Sequence, residues 1–484
     1  MVKRILSLSL LILVSLATYA GGLLTNTNQH IAYLRNMARQ SSTEIDAIYY
    51  NPAGLSFLEK DGLHFSINGQ SAFQTRTIHT TFPGFQGFGG DATKKYKGEA
   101  SAPFLPSLFG AYKSGKWTLS GMFGVTGGGG KATFDQGLGS LESMVSLLPM
   151  AIKQLDSNSP ADKYSFDSYV KGKQIIYGLQ FGASYKINEH WSAFGGLRIN
   201  YVGNQYEGYI RNISMNFFGG DNMVNASTYL KGASVDLANK AAAAAAAGNQ
   251  ALADELAMKA YAANDAADNK VNDKYLDMKQ TGWGITPILG VHYHNKKWDV
   301  GVKYEFVTRL NLETKSKGNI SLYKGDKDVL NIPYDLPSIL TVGVGYKVLP
   351  TVRLSVGYNH YFDKGAKMAD NKNDYIKQGT NEYLAGVEWD VIRWIRLSAG
   401  MQRTKYGVSD RYQSDMSFAL SSYSFGFGAA FRLAENVRLN VGYFWTNYSD
   451  YTKESPKFGM TDLPGTELFS RTNKVFGMGI DFSF

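Results

Sequence analysis

The chain has no cysteine. That excludes a disulfide scaffold, thiolate zinc sites, iron–sulfur ligation and cysteine catalysis. It is also poor in charge, with Asp, Glu, Lys and Arg making up 19% of 484 residues, below the usual ~25%. Beyond the N-terminus no stretch offers the ~18 consecutive apolar residues of a membrane-crossing helix. What is abundant is glycine, 52 residues, and aromatics, 13%; the aromatics exclude a disordered chain. A mean hydropathy of −0.23 reads as soluble, but a transmembrane β-barrel averages low too, because half of its wall residues face a polar lumen. The net charge of +9 suits anionic lipid headgroups or carboxylate ligands.

The first twenty residues read as an export signal. Lys3 and Arg4 precede an apolar run from Ile5 to Leu16, and Thr18-Tyr19-Ala20 sets small residues where a signal peptidase reads. Residues 1–20 are therefore expected to be removed, and the mature chain to lie in the periplasm or an outer membrane. Nucleic acid is not an expected partner there.

Downstream, the pattern has a period of two. Val437, Leu439, Val441, Tyr443 and Trp445 alternate with Arg438, Asn440, Gly442 and Phe444; Tyr423–Phe431, Val352–Tyr358 and Leu340–Tyr346 repeat the scheme. Successive strand side chains point to opposite faces. Such runs reach the length a tilted strand needs to cross hydrocarbon. Trp117, Trp191 and Trp298 each open a strand just after a short turn and Trp389 closes one, as an interfacial girdle requires. The fold class expected is all-β: a transmembrane antiparallel barrel of about fourteen strands occupying 62–484. Its connections alternate between short turns (Ser114-Gly115, Asn188-Glu189, Asn295-Lys296, Leu349-Pro350) and long loops, of which 127–172 and 208–278 are the longest. Short periplasmic turns and long external loops place both barrel ends on the periplasmic side. The last strand alternates Phe476, Met478, Ile480, Phe482 and Phe484 with small or polar residues, and its terminal Phe484 resembles the signal read by outer-membrane barrel-insertion machinery.

Residues 21–61 precede the first strand. Their apolar content, with Leu23, Leu24, Ile31 and Leu34, argues against a disordered tail. A barrel of this size leaves a hole unless something fills it, so this segment is expected to be a hatch inside the lumen. It ends in Tyr50-Asn51-Pro52-Ala53-Gly54-Leu55. This stretch resembles the Asn-Pro-Ala signature of the FadL family, outer-membrane transporters of long-chain fatty acids and other hydrophobic compounds. The resemblance extends to Leu336-Pro337-Ser338 opening a strand, the Arg353–Tyr358 strand and Phe484. It implies a fourteen-stranded barrel with an N-terminal hatch carrying Asn51, Pro52, Ala53 and Gly54. It further implies capture of ligand in an external groove, hatch movement, and lateral exit through a kinked third strand, without ATP. The chain is then expected to act as a monomer, with a hydrophobic small molecule and outer-membrane lipid as partners.

The residues carry part of this independently. Gly121, Gly124 and Gly127 fall in the third strand, where glycine marks a bulge or break, or else close packing on the hatch. In the following loop, Leu138, Leu141, Met144, Val145, Leu148 and Ile152 have helical spacing interrupted at Pro149. Met144 and Leu148, with Leu23, Leu24, Ile31 and Leu34, are the ligand-contact candidates, methionine being adaptable toward alkyl chains. The Ala241–Ala247 run predicts helix, breaking near Gly248.

Other chemistry is not expected. Gly127–Lys131 lacks the first glycine and the Ser/Thr of a phosphate loop. His292 and His294 share a strand face, but the sequence identifies no third metal ligand, and solvated lumen histidines are the reading preferred. No catalytic residues, metal or cofactor are assigned. The competing functions are a porin-like channel for small solutes and a surface adhesin built on the long Ala-rich loop.

Overall fold

The structure is a computed structural model describing residues 23–88, 91–155, 157–320, 329–459 and 461–484. The expected signal sequence, residues 1–20, lies outside the described residues. Eighteen strand segments form one sheet. Four of them are short extensions of their neighbours, which leaves fourteen wall strands. These are β1 Gly62–Thr81, β2 Thr93–Ser114, β3 Trp117–Phe134, β4 Tyr164–Lys186, β5 Trp191–Met215, β6 Lys274–His294, β7 Trp298–Glu305 (continued by Asn311–Ser316) and β8 Ile339–Leu349 (preceded by Val329–Pro333). Then follow β9 Val352–Tyr361, β10 Ile376–Ile392, β11 Ile395–Val408, β12 Ser422–Ala434, β13 Val437–Tyr448 (continued by Tyr451–Ser455) and β14 Gly465–Ser483. Each strand pairs antiparallel with its sequence neighbours, and β14 pairs with β1 from Ser483–His64 to Thr466–Thr81. The sheet therefore has no free edge. At the seam Phe484 N–H donates to Leu63 O at 2.8 Å, and Leu63 N–H donates back to Phe484 O at 3.1 Å.

The strands run further from the turns than the sequence pattern suggests. β2 starts at Thr93, whereas the alternation is recognisable only from about 104. Residues 127–134 and 164–172 belong to β3 and β4, and 208–215 and 274–278 to β5 and β6, not to the loops expected at 127–172 and 208–278. The reason is physical. Above the hydrocarbon level the outward face carries Lys, Glu and Asn, so the ladder continues while the apolar alternation that reveals it stops.

The outward faces are apolar at mid-height. Leu179, Phe181, Ile285 and Leu289 are among the exposed large side chains. At the turn end Trp117 packs on Tyr185, Trp191 on Tyr293 and Trp298 on Tyr346, across adjacent strands. This is the interfacial girdle that the tryptophans predict.

Residues 23–58 occupy the interior. They include the short helices α1 (Ile31–Arg35) and α2 (Ala47–Tyr50), and a 3₁₀ turn, Pro52–Phe57, with Pro52 at its first position. Proline is suited there because its missing N–H would have no partner in the first turn. The inward faces of the wall are small where this segment touches them: a Cβ at Gly301 or Gly343 would meet the Gln40 backbone, and one at Gly426 the Leu34 carbonyl. The glycine-rich alternate face of the strands is thus the imprint of the segment packed against it.

Outside the turns' opposite end, α3 (Gly139–Ser146) and α4 (Leu148–Leu155) are separated at Leu147, so Pro149 sits in the first turn of α4. The Ala-rich segment is a helical hairpin, α5 (Ala226–Ala246) and α6 (Gln250–Asp265), turning at Gly248 with φ +76°. Side chains of Asn225 and Asn249 accept from the N–H groups of Thr228 and Leu252, capping both helices.

Candidate functional site

Among the described residues two ladders carry long interruptions: β6–β7, between Ile288–Glu305 and Thr281–Glu313, and β2–β3, the one that the N-terminal segment reaches. β2 and β3 pair from Gly98–Phe134 to Ser101–Lys131, then not again until Leu108–Phe123. In between, β2 contributes Pro103 and Pro106, which have no N–H to give. β3 contributes a glycine-rich stretch with further irregularities against β4 at 125–127 and 127–130, and Gly128 at φ +85°. A side chain at Gly128 would be strained in that left-handed conformation and would also run into the Gln174 backbone.

The freed edge of β3 takes a different partner. Asn26 N–H donates to Thr126 O at 2.8 Å, and Gly128 N–H donates to Leu24 O at 3.1 Å, with Thr25 bridging Gly127. The N-terminal segment thus stands inside the gap as a substitute strand. Gln29 ties both lips: its Nε2 donates to Val125 O at 2.8 Å on β3, and its backbone carbonyl accepts from Ser107 Oγ on β2. Beyond it, Gln70 Nε2 on β1 donates to Asn28 O at 2.6 Å. On the membrane side Phe104 stands at the gap, 69% exposed.

Leu24 packs into an apolar nest with Ile176, Val202, Leu310, Leu312 and Leu336; Leu23 packs with Ile376 and Tyr412, and Met368 touches both groups. At the margin, Lys372 Nζ lies 4.3 Å from the Tyr412 ring centre and donates to Ser417 Oγ at 2.9 Å. Burial, with Lys453 as a lesser cause, pulls this ammonium down to about 7.

The sequence candidates do not form one site. Leu23 and Leu24 lie at the gap. Ile31 and Leu34 are buried with Tyr33, Met37, Phe444 and Val475 on the β13–β14 side. Met144 and Leu148 pack half-buried on a separate core under the long loops, with Leu141 and Val145. Gly124 and Gly127 border the gap; Gly121 pairs regularly with Gly110 and Phe181 below it. Sequence reading passed over Pro103, Pro106, Ser107, Thr126 and Gln29. The two prolines inside one strand were the available signal, since a proline breaks a central ladder.

The Asn-Pro-Ala stretch is a joint between segment and wall. Asn51 Nδ2 donates to Ser42 O at 2.8 Å and faces His292 Nδ1 at 2.9 Å. Ser192 Oγ on β5 donates to Ala53 O at 2.7 Å, and Ser184 Oγ on β4 to Pro52 O at 2.7 Å. A Cβ at Gly54 would hit the Ser42 carbonyl and the Asn51 amide. His292 is fully buried and is not the solvated histidine expected. Its Nε2 lies 3.3 Å from Asp299 Oδ1, and His294 Nδ1 lies 2.7 Å from the same oxygen. Asp299 is thus the third side chain that the sequence did not reveal, brought beside His294 by the β6–β7 register. Asn51 is committed as donor by the Ser42 carbonyl, so His292 Nδ1 accepts and Nε2 carries the proton toward Asp299. That tautomer keeps no lone pair at Nε2 for a metal, and the trio as arranged is a hydrogen-bonded joint.

Away from the gap, the interior is ionic. Arg35 donates to Glu388 at 3.0 Å, and Arg39 to Asp46 at 2.6 Å. Glu44 accepts from Arg39 at 2.9 Å, Arg396 at 2.8 Å and Arg438 at 2.6 Å. Higher up, Arg198 pairs with Glu305 at 2.8 Å, and Lys303 Nζ donates to Tyr49 O at 2.7 Å. A polar cavity of about 220 Å³ opens at the turn end, bordered by Glu44, Arg353, Arg396, Arg432, Arg438 and Asp481.

The closed fourteen-stranded ring has counterparts among solved structures. A Pseudomonas aeruginosa FadL homologue matches with a TM-score of 0.63 over 96% of this chain and 100% of that one, at 13% identity. The fold is that of the FadL-type barrels. The P. putida toluene transporter TodX matches at 0.55 over 92% of this chain and 95% of that one, at 12% identity. The CymD monoaromatic hydrocarbon channel matches at 0.50 over 93% and 98%, at 11% identity. No protein-family model and no curated protein sequence matches the chain. The FadL-type fold is therefore visible in the arrangement of strands and not in residue identity.

Proposed function

We propose that this protein is an outer-membrane passive transporter of hydrophobic small molecules, in which residues 21–61 act as a hatch and cargo leaves sideways between β2 and β3. The observation that carries the reading is the β2–β3 gap closed from inside by Leu24–Gln29, with the apolar nest of Leu23 and Leu24 directly beside it. Lifting this substitute strand from β3 uncovers apolar surface and an opening toward hydrocarbon in a single movement. An axial route runs instead through buried ion pairs, where an apolar solute would have to separate charges at a cost of several kcal/mol. That argues against a porin-like pore. Names of fold relatives, toluene transporter and monoaromatic hydrocarbon channel, agree with apolar cargo. Lys372 beside Tyr412 gives a carboxylate head one cation, so fatty acids fit as well as hydrocarbons.

The absence of cysteine makes a direct test clean. In Asn26→Cys/Thr126→Cys, the substituted positions are joined by the Asn26 N–H to Thr126 O bond, as in a hydrogen-bonded antiparallel pair, where Cα atoms lie ~5.5 Å apart and within disulfide range. Oxidised protein is expected to lose uptake of radiolabelled oleate and toluene, and reductant to restore it, with both single variants insensitive. Undiminished uptake by the fully cross-linked protein would refute the lateral route.

A further inference from the structure

The outward face above the apolar band carries a row of cations that the transport reading leaves unused. Following the ladders sideways from β2, Ser101 pairs with Lys131, Lys131 with Lys173, Lys173 with Gln205, Gln205 with Lys279, and Lys279 with Lys315. Four of these six neighbours are lysines, and all four are exposed. Lys131 directly faces Lys173, and Lys279 directly faces Lys315. Like charges opposite one another weaken a sheet. Lys315 is answered by Glu313 at 2.9 Å. Among the described residues Lys131, Lys173 and Lys279 make no ion pair. The carboxylate just above, Glu207, already accepts from Lys171 and Gln205, both at 2.6 Å.

The next outward row toward the hydrocarbon, Ile175, Gly203 and Thr281, is uncharged and dips at Gly203. Below it lies the aromatic row Tyr177, Tyr201 and Trp283, 38%, 48% and 65% exposed. Cations over a shallow step over interfacial rings is the profile that a lipid presents in reverse: charged headgroup, glycosyl or glycerol level, acyl chains. The two lysine pairs are three strand spacings apart, ~14 Å between their centres. A single phosphate cannot serve both.

We propose that this face of β3–β7 seats one bisphosphorylated, multi-acylated lipid of the outer leaflet, with one phosphate on Lys131 and Lys173 and the other on Lys279 and Lys315. The seat rests on the orientation used above, long loops outward. It does not depend on how cargo travels. Lys131 is also the residue at which β2–β3 pairing resumes, so the seated lipid borders the upper end of the gap.

The test uses the full mature protein in phosphatidylcholine nanodiscs containing a few mole per cent of bisphosphorylated lipid A, monophosphorylated lipid A or phosphatidylglycerol, read by native mass spectrometry. One bisphosphorylated lipid A per barrel is expected to be retained, with at least tenfold lower retention of the other two. Lys131→Gln/Lys173→Gln/Lys279→Gln is expected to lower that retention at least tenfold while the heat-modifiable gel mobility of the folded barrel is unchanged. Millimolar pyrophosphate is expected not to displace the lipid. Equal retention by the triple variant, equal retention of the monophosphorylated lipid, or displacement by pyrophosphate would each overturn the seat. Preferential phosphatidylglycerol binding would overturn it by pointing to the opposite leaflet. Oleate uptake is measured in parallel; its loss or survival bears on the transport reading alone.

Discussion

At the scale of single residues, Asn51 has the most determined role. Its amide group gives both donors to acceptors, the Ser42 carbonyl and His292 Nδ1. Asn51→Ala leaves those buried acceptors unsatisfied, a loss of about 1–3 kcal/mol. Asn51→Asp should be worse, since it sets a carboxylate against two lone pairs. The ordering wild type, then Ala, then Asp is expected in thermal unfolding midpoints in detergent. Planar-bilayer recordings should show intermittent conductance in the same order, as the joint loosens. If Asp matched wild type, the donor assignment would be wrong. Part of this joint was legible in sequence, because Asn-Pro-Ala-Gly has a recognisable turn chemistry. The histidine end was not. Its partner Asp299 is seven residues away across a turn, and only the strand register puts them together.

At the scale of elements, alternation gave away the strands wherever one face meets lipid, and the number of wall strands follows from it. The gap was harder to see. Two prolines and a run of glycines mark the place where β2 and β3 could part, but not that Leu24–Asn26 would take the vacant edge. That pairing joins segments about a hundred residues apart, and neither carries a period-two pattern. The Ala-rich hairpin shows the opposite balance. Helix propensity alone places α5, α6 and the Gly248 turn, while its role is not written in it. Its base is integrated, with Ala226, Leu230, Ala263 and Ala267 in the core under the long loops. Its tip is bare, with residues 245–252 all exposed around the Gly248 turn. Replacing residues 236–257 by a short Gly-Ser turn should therefore leave the folded barrel's gel mobility and oleate uptake within twofold of wild type. Leu230→Asp, at the base, should lower the unfolding midpoint by burying a charge. Loss of uptake on trimming the tip would make the hairpin part of the transport path.

At the scale of the whole molecule, the interior segment is held very unequally. From Arg35 to Asp46 it is bound by ion pairs to β10, β11 and β13, and Arg353 Nη2 on β9 donates to Ser41 O at 2.9 Å. Removing one member of such a buried network costs about 3–5 kcal/mol. From Leu23 to Gln29 the hold on β3 is a few neutral hydrogen bonds, each with a net worth of about 1 kcal/mol. The weaker end lies at the gap and the stronger end at the polar mouth. Transport should therefore peel the first residues from β3 while the rest of the hatch stays seated. Two tethers separate these motions. A Cβ at Gly345 on β8 would stand 2.9 Å from Ser41 Oγ, close to disulfide geometry, and 2.7 Å from Arg353 Nη2, whose flexible guanidinium shifts aside, so Ser41→Cys/Gly345→Cys replaces its hydrogen bond to Ser41 O by a covalent lock on the seated part. When oxidised, this variant is expected to transport oleate at the wild-type rate, whereas the Asn26–Thr126 tether stops it. Equal inhibition by both tethers would mean that the hatch must leave its ionic seat, and the argument from unequal binding would fall.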